Sequence, residues 1–240
     1  MSHVAERWRP AQEWDPAPDD VIDVWRFDLE VREHDWAILT PDEAQAANRI
    51  VVDEKGNWKA SARAHLRRIL ARYLRAHPED VRFMYGEHGK PMLAERDEPR
   101  FNLSDSRSKG LVAVCWGSRI GVDVEFTREG RSFTNIADRF FARAESAALR
   151  ALPSSDRPAA FYRAWTRKEA YLKAWGTGLS FGSDRFTLDH VSEGGGGLLA
   201  TEMPGDDPSR WHFKDVELGP DYLGAICFEG PDRPIRWWAI

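Results

Sequence analysis

No apolar run in this chain is long enough to cross a bilayer, positive charge is not in excess, and cysteine is nearly missing. Each shortage excludes something. Thirty-four Lys and Arg stand against 39 Asp and Glu, a net charge of −5. A general grip on nucleic acid needs a basic surface, so none is expected, although a local basic pocket for a phosphorylated small molecule remains open. The two cysteines, Cys115 and Cys227, sit in apolar strand-like runs without zinc spacing, as buried thiols of a reducing compartment would. The opening "MSHVAERWRPAQEWDPAP" lacks the apolar core of a secretory leader. A cytoplasmic protein with no membrane partner is the expectation.

What is present is an ordinary globular composition, 42% hydrophobic and 30% charged, over 240 residues, with an unusual 11 Trp. That length suits one large domain or two small, tightly packed ones. Residues 1–20, rich in Pro and Asp, read as a loosely ordered arm. Val21 to Leu29 alternates as a strand. Thr40 followed by Pro41 and acids is a strong helix start. Trp58 to His77 reads as a long helix carrying Arg63, Arg67, Arg68, Arg72 and Arg75. Leu111–Trp116 and Ile120–Phe126, separated by "GSR", read as a hairpin. A helix containing "IADRFFARAESAAL" follows, then one over Phe161–Leu179, then three strands, the first two joined by the loop "EGGGG". The order predicts an α+β protein of two similar lobes, residues 21–118 and 119–240.

Two segments carry groups suited to chemistry. In "IGVDVEF" the period of two puts Asp123 and Glu125 on one face, their Cβ atoms roughly 7 Å apart. Their oxygens can converge on one hard cation, and Mg²⁺ takes few carboxylates together with water and phosphate. The same alternation is the ordinary signature of a half-solvated strand. In "FYRAWTRKEAYLKAWGTGL", Phe161, Ala164, Trp165 and Leu172 form an apolar stripe with Lys168 inside it, while Glu169 and Lys173 line one flank. A snorkelling lysine and a surface ion pair would also give this pattern. An acid and two bases at the edge of a packed helix that ends in "GTGL" fit a metal–diphosphate site better.

Together these pieces resemble the Sfp-type 4′-phosphopantetheinyl transferases. "GVDVE" followed some forty residues later by "WTRKEAYLKAWGTGL" looks like that family's signature pair. "GKPML" at Gly89–Leu93, "FNLSDS" at Phe101–Ser106, "RFFARAE" at Arg139–Glu145 and the arginine-rich helix extend the resemblance over most of the chain. It implies two pseudo-symmetric α+β lobes with coenzyme A in the cleft between them. The implied activity is Mg²⁺-dependent transfer of phosphopantetheine from coenzyme A to a serine of an apo acyl or peptidyl carrier protein, releasing adenosine 3′,5′-bisphosphate. Carried over position by position, Asp123, Glu125 and Glu169 would hold Mg²⁺, with Asp123 also beside the donor. Lys168 and Lys173 would contact the diphosphate, and Lys90 and Ser104 the nucleotide half. Glu169, directly or through a metal-bound water, is the nearest candidate base, with Lys173 beside the developing charge and Glu145 as a second candidate base, or else a plain helix-surface acid. Two fused lobes supply both cleft walls, so a monomer is expected.

Two positions depart from the family pattern, both at the adenosine end. The family's histidine in the serine-containing loop is here Asp105, which would accept from the nucleoside or turn away onto Arg107. Trp58 stands where a basic residue is expected, with Lys59 next door. The expectation is that transfer survives while grip on the 3′-phosphate is weaker or rebuilt from Lys59, Arg63 and Lys90. A relative that binds coenzyme A or a carrier protein without transfer is the alternative that Asp105 keeps open, and an Mg²⁺-independent acyltransferase is a third class.

Overall fold

Alternating burial along the strands builds two packed sheets, each backed by one long helix. The computed structural model describes residues 8–16, 18–30, 33–50, 53–128, 132–189 and 194–240. The first seven residues of the expected arm and the beginning of the glycine-rich loop lie outside the described residues. The helices are α1 (Glu33–Ala37), α2 (Pro41–Asn48), α3 (Asp53–Leu74), α4 (Phe133–Phe140), α5 (Arg143–Ala151) and α6 (Arg157–Trp175). The strands are β1 (Arg9–Pro10), β2 (Ile22–Asp28), β3 (Phe83–Tyr85), β4 (Pro91–Leu93), β5 (Arg100–Ser106), β6 (Lys109–Cys115), β7 (Ile120–Phe126), β8 (Phe186–Leu188), β9 (Gly195–Gly196), β10 (Leu198–Thr201), β11 (Trp211–Glu217), β12 (Tyr222–Glu229) and β13 (Ile235–Ala239). The α+β class expected from the sequence is what the chain adopts.

One sheet has the order β1-β13-β2-β6-β5 and the other β7-β12-β11-β9, with β3-β4 and β8-β10 as two-stranded pairs. Trp25, Val112 and Val114 face α3, packing on Leu66, Ile69 and Leu70. Their neighbours Val24, Leu111 and Ala113 face the other way and meet Ile120, Val122, Val124 and Ile226 of the second sheet. On its far side the second sheet carries α6, where Tyr171 and Leu172 pack on Phe213 and Cys227. Period two in the strands thus produces the four layers directly. Among the described residues no helix is long and apolar enough to cross a membrane.

Four sequence expectations are corrected here. The hairpin across "GSR" does not form: β6 pairs with β2 and β5, whereas β7 crosses to the second sheet and pairs with β12. The boundary at 118/119 does not hold for the last strand, because β13 returns to pair in parallel with β2 of the first sheet. From Trp8 on, the described residues of the arm are anchored rather than loose. Arg9–Pro10 pairs with Trp238–Ala239, Trp8 lies edge-on to Trp237 at 5.2 Å, and Trp14 donates to buried Asp23 at 3.1 Å. The same carboxylate accepts from Tyr73, Arg236 and Trp238, so one buried acid ties both ends of the chain to β2 and α3. Finally, the helix expected over "IADRFFARAESAAL" is two helices. Phe141 turns extended to enter the core, and the Glu145 carboxylate starts α5 by accepting from the Ala142 amide at 2.8 Å.

Candidate active site

The candidate site lies at a seam between β5, β7 and α6. On its β5 side β7 is an edge strand, with amides that need acceptors. The polar positions of "FNLSDS" supply them. Asn102 Oδ1 accepts from Val122 N at 2.9 Å, Ser104 Oγ from Val124 N at 3.3 Å, and Ser106 Oγ from Phe126 N at 3.0 Å. Alternate residues from Asn102 to Ser106 therefore stitch the two sheets together side chain to backbone. The same hydroxyls orient the acids: Ser104 donates to Asp123 Oδ1 at 2.9 Å and Ser106 to Glu125 Oε2 at 3.2 Å.

The face of β7 that bears Gly121, Asp123 and Glu125 turns toward α6. Contact is backbone to backbone at Gly121, where an added Cβ would sit 1.9 Å from the Ala170 carbonyl oxygen, so only glycine fits. Held this close, α6 brings Lys173 onto the acids. Its ammonium donates to Asp123 Oδ1 at 2.6 Å and to Ser104 Oγ at 2.8 Å. Burial alone would lower the Lys173 pKa, but Asp123, Glu169 and Asp105 outweigh it and the net shift is upward, so the group stays an ammonium. Glu169, half-buried, is pushed up to about 7 by burial and by the charges of Asp123 and Glu125, against the pull of Lys173. Burial and Asp123 likewise raise Glu125.

These groups fit a hard divalent cation. The donors are all carboxylate oxygens, and they lie close enough to shift one another's protonation. Asp123 Oδ2 is buried without a hydrogen-bond partner among the described residues, an acceptor left for a ligand. As the side chains stand, no three metal-binding groups among the described residues converge on one point. A cation that keeps waters and takes phosphate oxygens needs only one or two carboxylates to hold it.

The remaining expected site residues divide. Lys59 and Arg63 lie together between two adjoining cavities of about 540 and about 460 Å³, both of which they line. Arg63 Nη1 has no partner among the described residues. Asp105 lines the smaller cavity, because strand alternation turns it away from Ser104 and toward α3. Its carboxyl is raised by desolvation, against the pull of Lys173 and Lys59. It does not pair with Arg107, whose guanidinium lies 3.8 Å from the Phe126 ring centroid.

Ser104 is occupied throughout, since its one proton goes to Asp123 and its lone pairs to Val124 N and Lys173. It is not free to grip a nucleotide. Lys168 does not face a diphosphate. It is 1% exposed and bonds Glu145 at 2.7 Å and the carbonyls of Ser183 and Phe186 at 2.8 Å. Glu145 is fully buried as its counter-ion and also accepts from Leu188 N at 2.8 Å, so it is structural and not at the reacting centre. Helical geometry accounts for both: residues 168 and 169 point about 100° apart, so Glu169 on the cleft side puts Lys168 in the core. Lys90 Nζ is also spent inside the protein, on the carbonyls of Lys173, Ala174 and Ile120.

Sequence reasoning passed over the β5 ladder of Asn102 and Ser106. It also missed Arg167, a second buried cation of α6, held by Asp215 at 2.8 Å. Polar residues at positions 102, 104 and 106 were the legible signal for the ladder. Nothing local to Arg167 pointed to Asp215.

Comparison with known proteins gives the family. The 4′-phosphopantetheinyl transferase superfamily matches over residues 119–227, which hold β7 and α6. The chain is 37% identical over 180 residues to the 4′-phosphopantetheinyl transferase HetI of Nostoc sp., covering 70% of this chain and 76% of that protein. It is 28% identical over 205 residues to the 4′-phosphopantetheinyl transferase Sfp of Bacillus subtilis, covering 85% and 88%. To AcpT of Salmonella typhimurium it is 36% identical over 122 residues, covering 51% and 59%. The chain belongs to the 4′-phosphopantetheinyl transferase family and is a transferase.

Proposed function

We propose that the chain moves 4′-phosphopantetheine from coenzyme A to a serine hydroxyl of an apo acyl or peptidyl carrier protein, with Mg²⁺, releasing adenosine 3′,5′-bisphosphate. The observation that carries this reading is the juxtaposition of Asp123, Glu125, Glu169 and Lys173, with Asp123 Oδ2 left unpartnered. The cavities lined by Lys59 and Arg63 adjoin it through Asp105, close enough to Lys173 for their charges to interact. They have room for an adenosine with its phosphates, and Lys59 and Arg63 place two cations on their walls.

Asp123, Glu125 and Glu169 would hold Mg²⁺, which would supply charge neutralisation at the diphosphate. Lys173 exchanges Asp123 for a diphosphate oxygen and stays charged beside the bridging oxygen as negative charge builds there. The carrier serine oxygen attacks the phosphorus that bears the pantetheine arm. A P–O bond to that carrier serine forms as the bond to the nucleotide-side bridging oxygen breaks, and adenosine 3′,5′-bisphosphate leaves. The serine proton passes to a carboxylate oxygen of Glu169, the acid at the edge of the site. Ser104 and Ser106 position the acids throughout.

The test is incubation with coenzyme A, Mg²⁺ and apo carrier proteins of the fatty-acid, polyketide and peptide-synthetase types, followed by mass measurement of the carriers. A phosphopantetheine increment lost on chelation is expected. No increment on any carrier would overturn the reading in favour of a binding-only relative, and an increment that survives chelation would remove Mg²⁺ from it.

A further inference from the structure

Lys90 was expected at the nucleotide and is found elsewhere. It follows the turn between β3 and β4, and its ammonium reaches the Lys173 carbonyl at 2.6 Å, that of Ala174 at 3.0 Å and that of Ile120 at 3.2 Å. Three protons meet three acceptors, and no carboxylate pairs with it among the described residues. The first two carbonyls belong to the last turn of α6, where a helix leaves its oxygens without intrahelical partners and carries partial negative charge. Gly176 N takes the preceding carbonyl, of Leu172, at 2.8 Å, so Lys90 completes the cap. Gly176 itself is left-handed at φ +80°, and a Cβ there would stand 3.2 Å from Lys90 Cδ, so the glycine also lets the lysine stem pass. The third carbonyl opens β7.

One ammonium therefore joins the end of the helix that bears Glu169 and Lys173 to the start of the strand that bears Asp123 and Glu125. We infer that Lys90 is a positioning residue for the transfer, a charged tie that sets the spacing of α6 against β7 and touches no part of the donor. The inference rests on the reading of the acid cluster given above. Burial lowers Lys90 to about 8, with Arg100 and Arg119 pushing the same way, while the nearby Cys115 and Cys227 thiols, raised by burial, stay neutral there. A neutral amine has one proton fewer than the three carbonyls require, so the tie weakens as pH rises through about 8.

The experiment compares the full chain with Lys90→Met and Lys90→Arg. It measures kcat and KM for coenzyme A from pH 6.5 to 9.5, and hydrogen exchange at residues 172–178. Lys90→Met is expected to lose about tenfold or more in kcat, with KM for coenzyme A within about threefold. Exchange at the Gly176 amide should accelerate by about tenfold beyond its intrinsic rate. Lys90→Arg is expected to restore most of kcat and to abolish the decline above about pH 8, because guanidinium stays charged. A raised KM with kcat intact would overturn the proposal in favour of a donor contact. Wild-type kcat and exchange in Lys90→Met would also overturn it. Should Lys90→Met not fold, wild-type exchange across pH 7–9 still decides: amides of 172–178 that follow intrinsic base catalysis with no extra opening above about pH 8 refute the tie. That readout is independent of turnover, so absence of transfer by the wild-type chain would sink the functional reading and leave this one testable.

Discussion

Replacing Glu169 by Gln separates what the site does for catalysis from what it does to stability, and the two effects have opposite signs. Transfer should be lost, because the variant has neither the base nor one of the three carboxylates. Stability without metal should rise. Glu169 titrates at about 7 in the folded chain against 4.5 when unperturbed, because burial and the charges of Asp123 and Glu125 disfavour its ionised form. Between those values the folded chain holds a proton that the unfolded chain has released, so this group's contribution to stability falls as pH rises from 4.5 to about 7 and stays low above it. The full shift corresponds to about 3 kcal/mol. Glu169 is only partly buried, and solvent screening leaves about 2 kcal/mol as the gain for Glu169→Gln at pH 8. For a chain of this size that is a melting-point rise of about 4–8 °C. At pH 5 the gain should shrink below about 1 kcal/mol, since the wild-type carboxyl is then mostly protonated. Urea unfolding in chelator at pH 5, 6, 7 and 8 measures it. A variant less stable than wild type at pH 8, or a gain that does not change with pH, would refute the electrostatic reasoning.

Lys168 offers a contrast, because its burial against Glu145 makes it structural. Lys168→Met should cost about 3–5 kcal/mol in urea unfolding by stranding a buried carboxylate, and adding Glu145→Gln should recover at least about half of that. An increase in KM for coenzyme A with stability preserved would instead return Lys168 to the diphosphate. At the cavity proposed for adenosine, Asp105 stands beside Lys59, and Ser104 and Lys90 are bonded elsewhere, so a weak grip on the 3′-phosphate is expected under the proposed function. The ratio of kcat/KM for coenzyme A over its 3′-dephospho form is expected to stay below about tenfold, or about 1.4 kcal/mol, and a ratio above about a hundredfold would contradict it.

Much of the architecture was legible because it depends on local periodicity. Period two along Ile120–Phe126 placed Asp123 and Glu125 on one face, and helical spacing placed Glu169 beside Lys173. Caps such as Thr40, which accepts from Glu43 N, likewise act within four residues. The break between α4 and α5 was less legible, since Phe141 leaves the helix for a core contact that a window of "IADRFFARAESAAL" does not contain.

By itself the sequence determined the α+β class, the faces of β7 and α6, and through paired motifs the family to which the chain belongs. Only the tertiary structure decided which charges face the cleft and which face the core. Lys168, Glu145 and Lys90 are chemically as suited to a diphosphate site as Lys173 and Glu169. Which of them reaches it depends on which carbonyls and counter-ions lie within 3 Å, and those come from residues up to 84 positions away, as with Lys90 and Ala174. The crossing of β7 to the second sheet and the return of β13 to the first have the same origin. A strand's pattern records that one face is buried, and the partner that buries it is chosen by the packing of the whole chain.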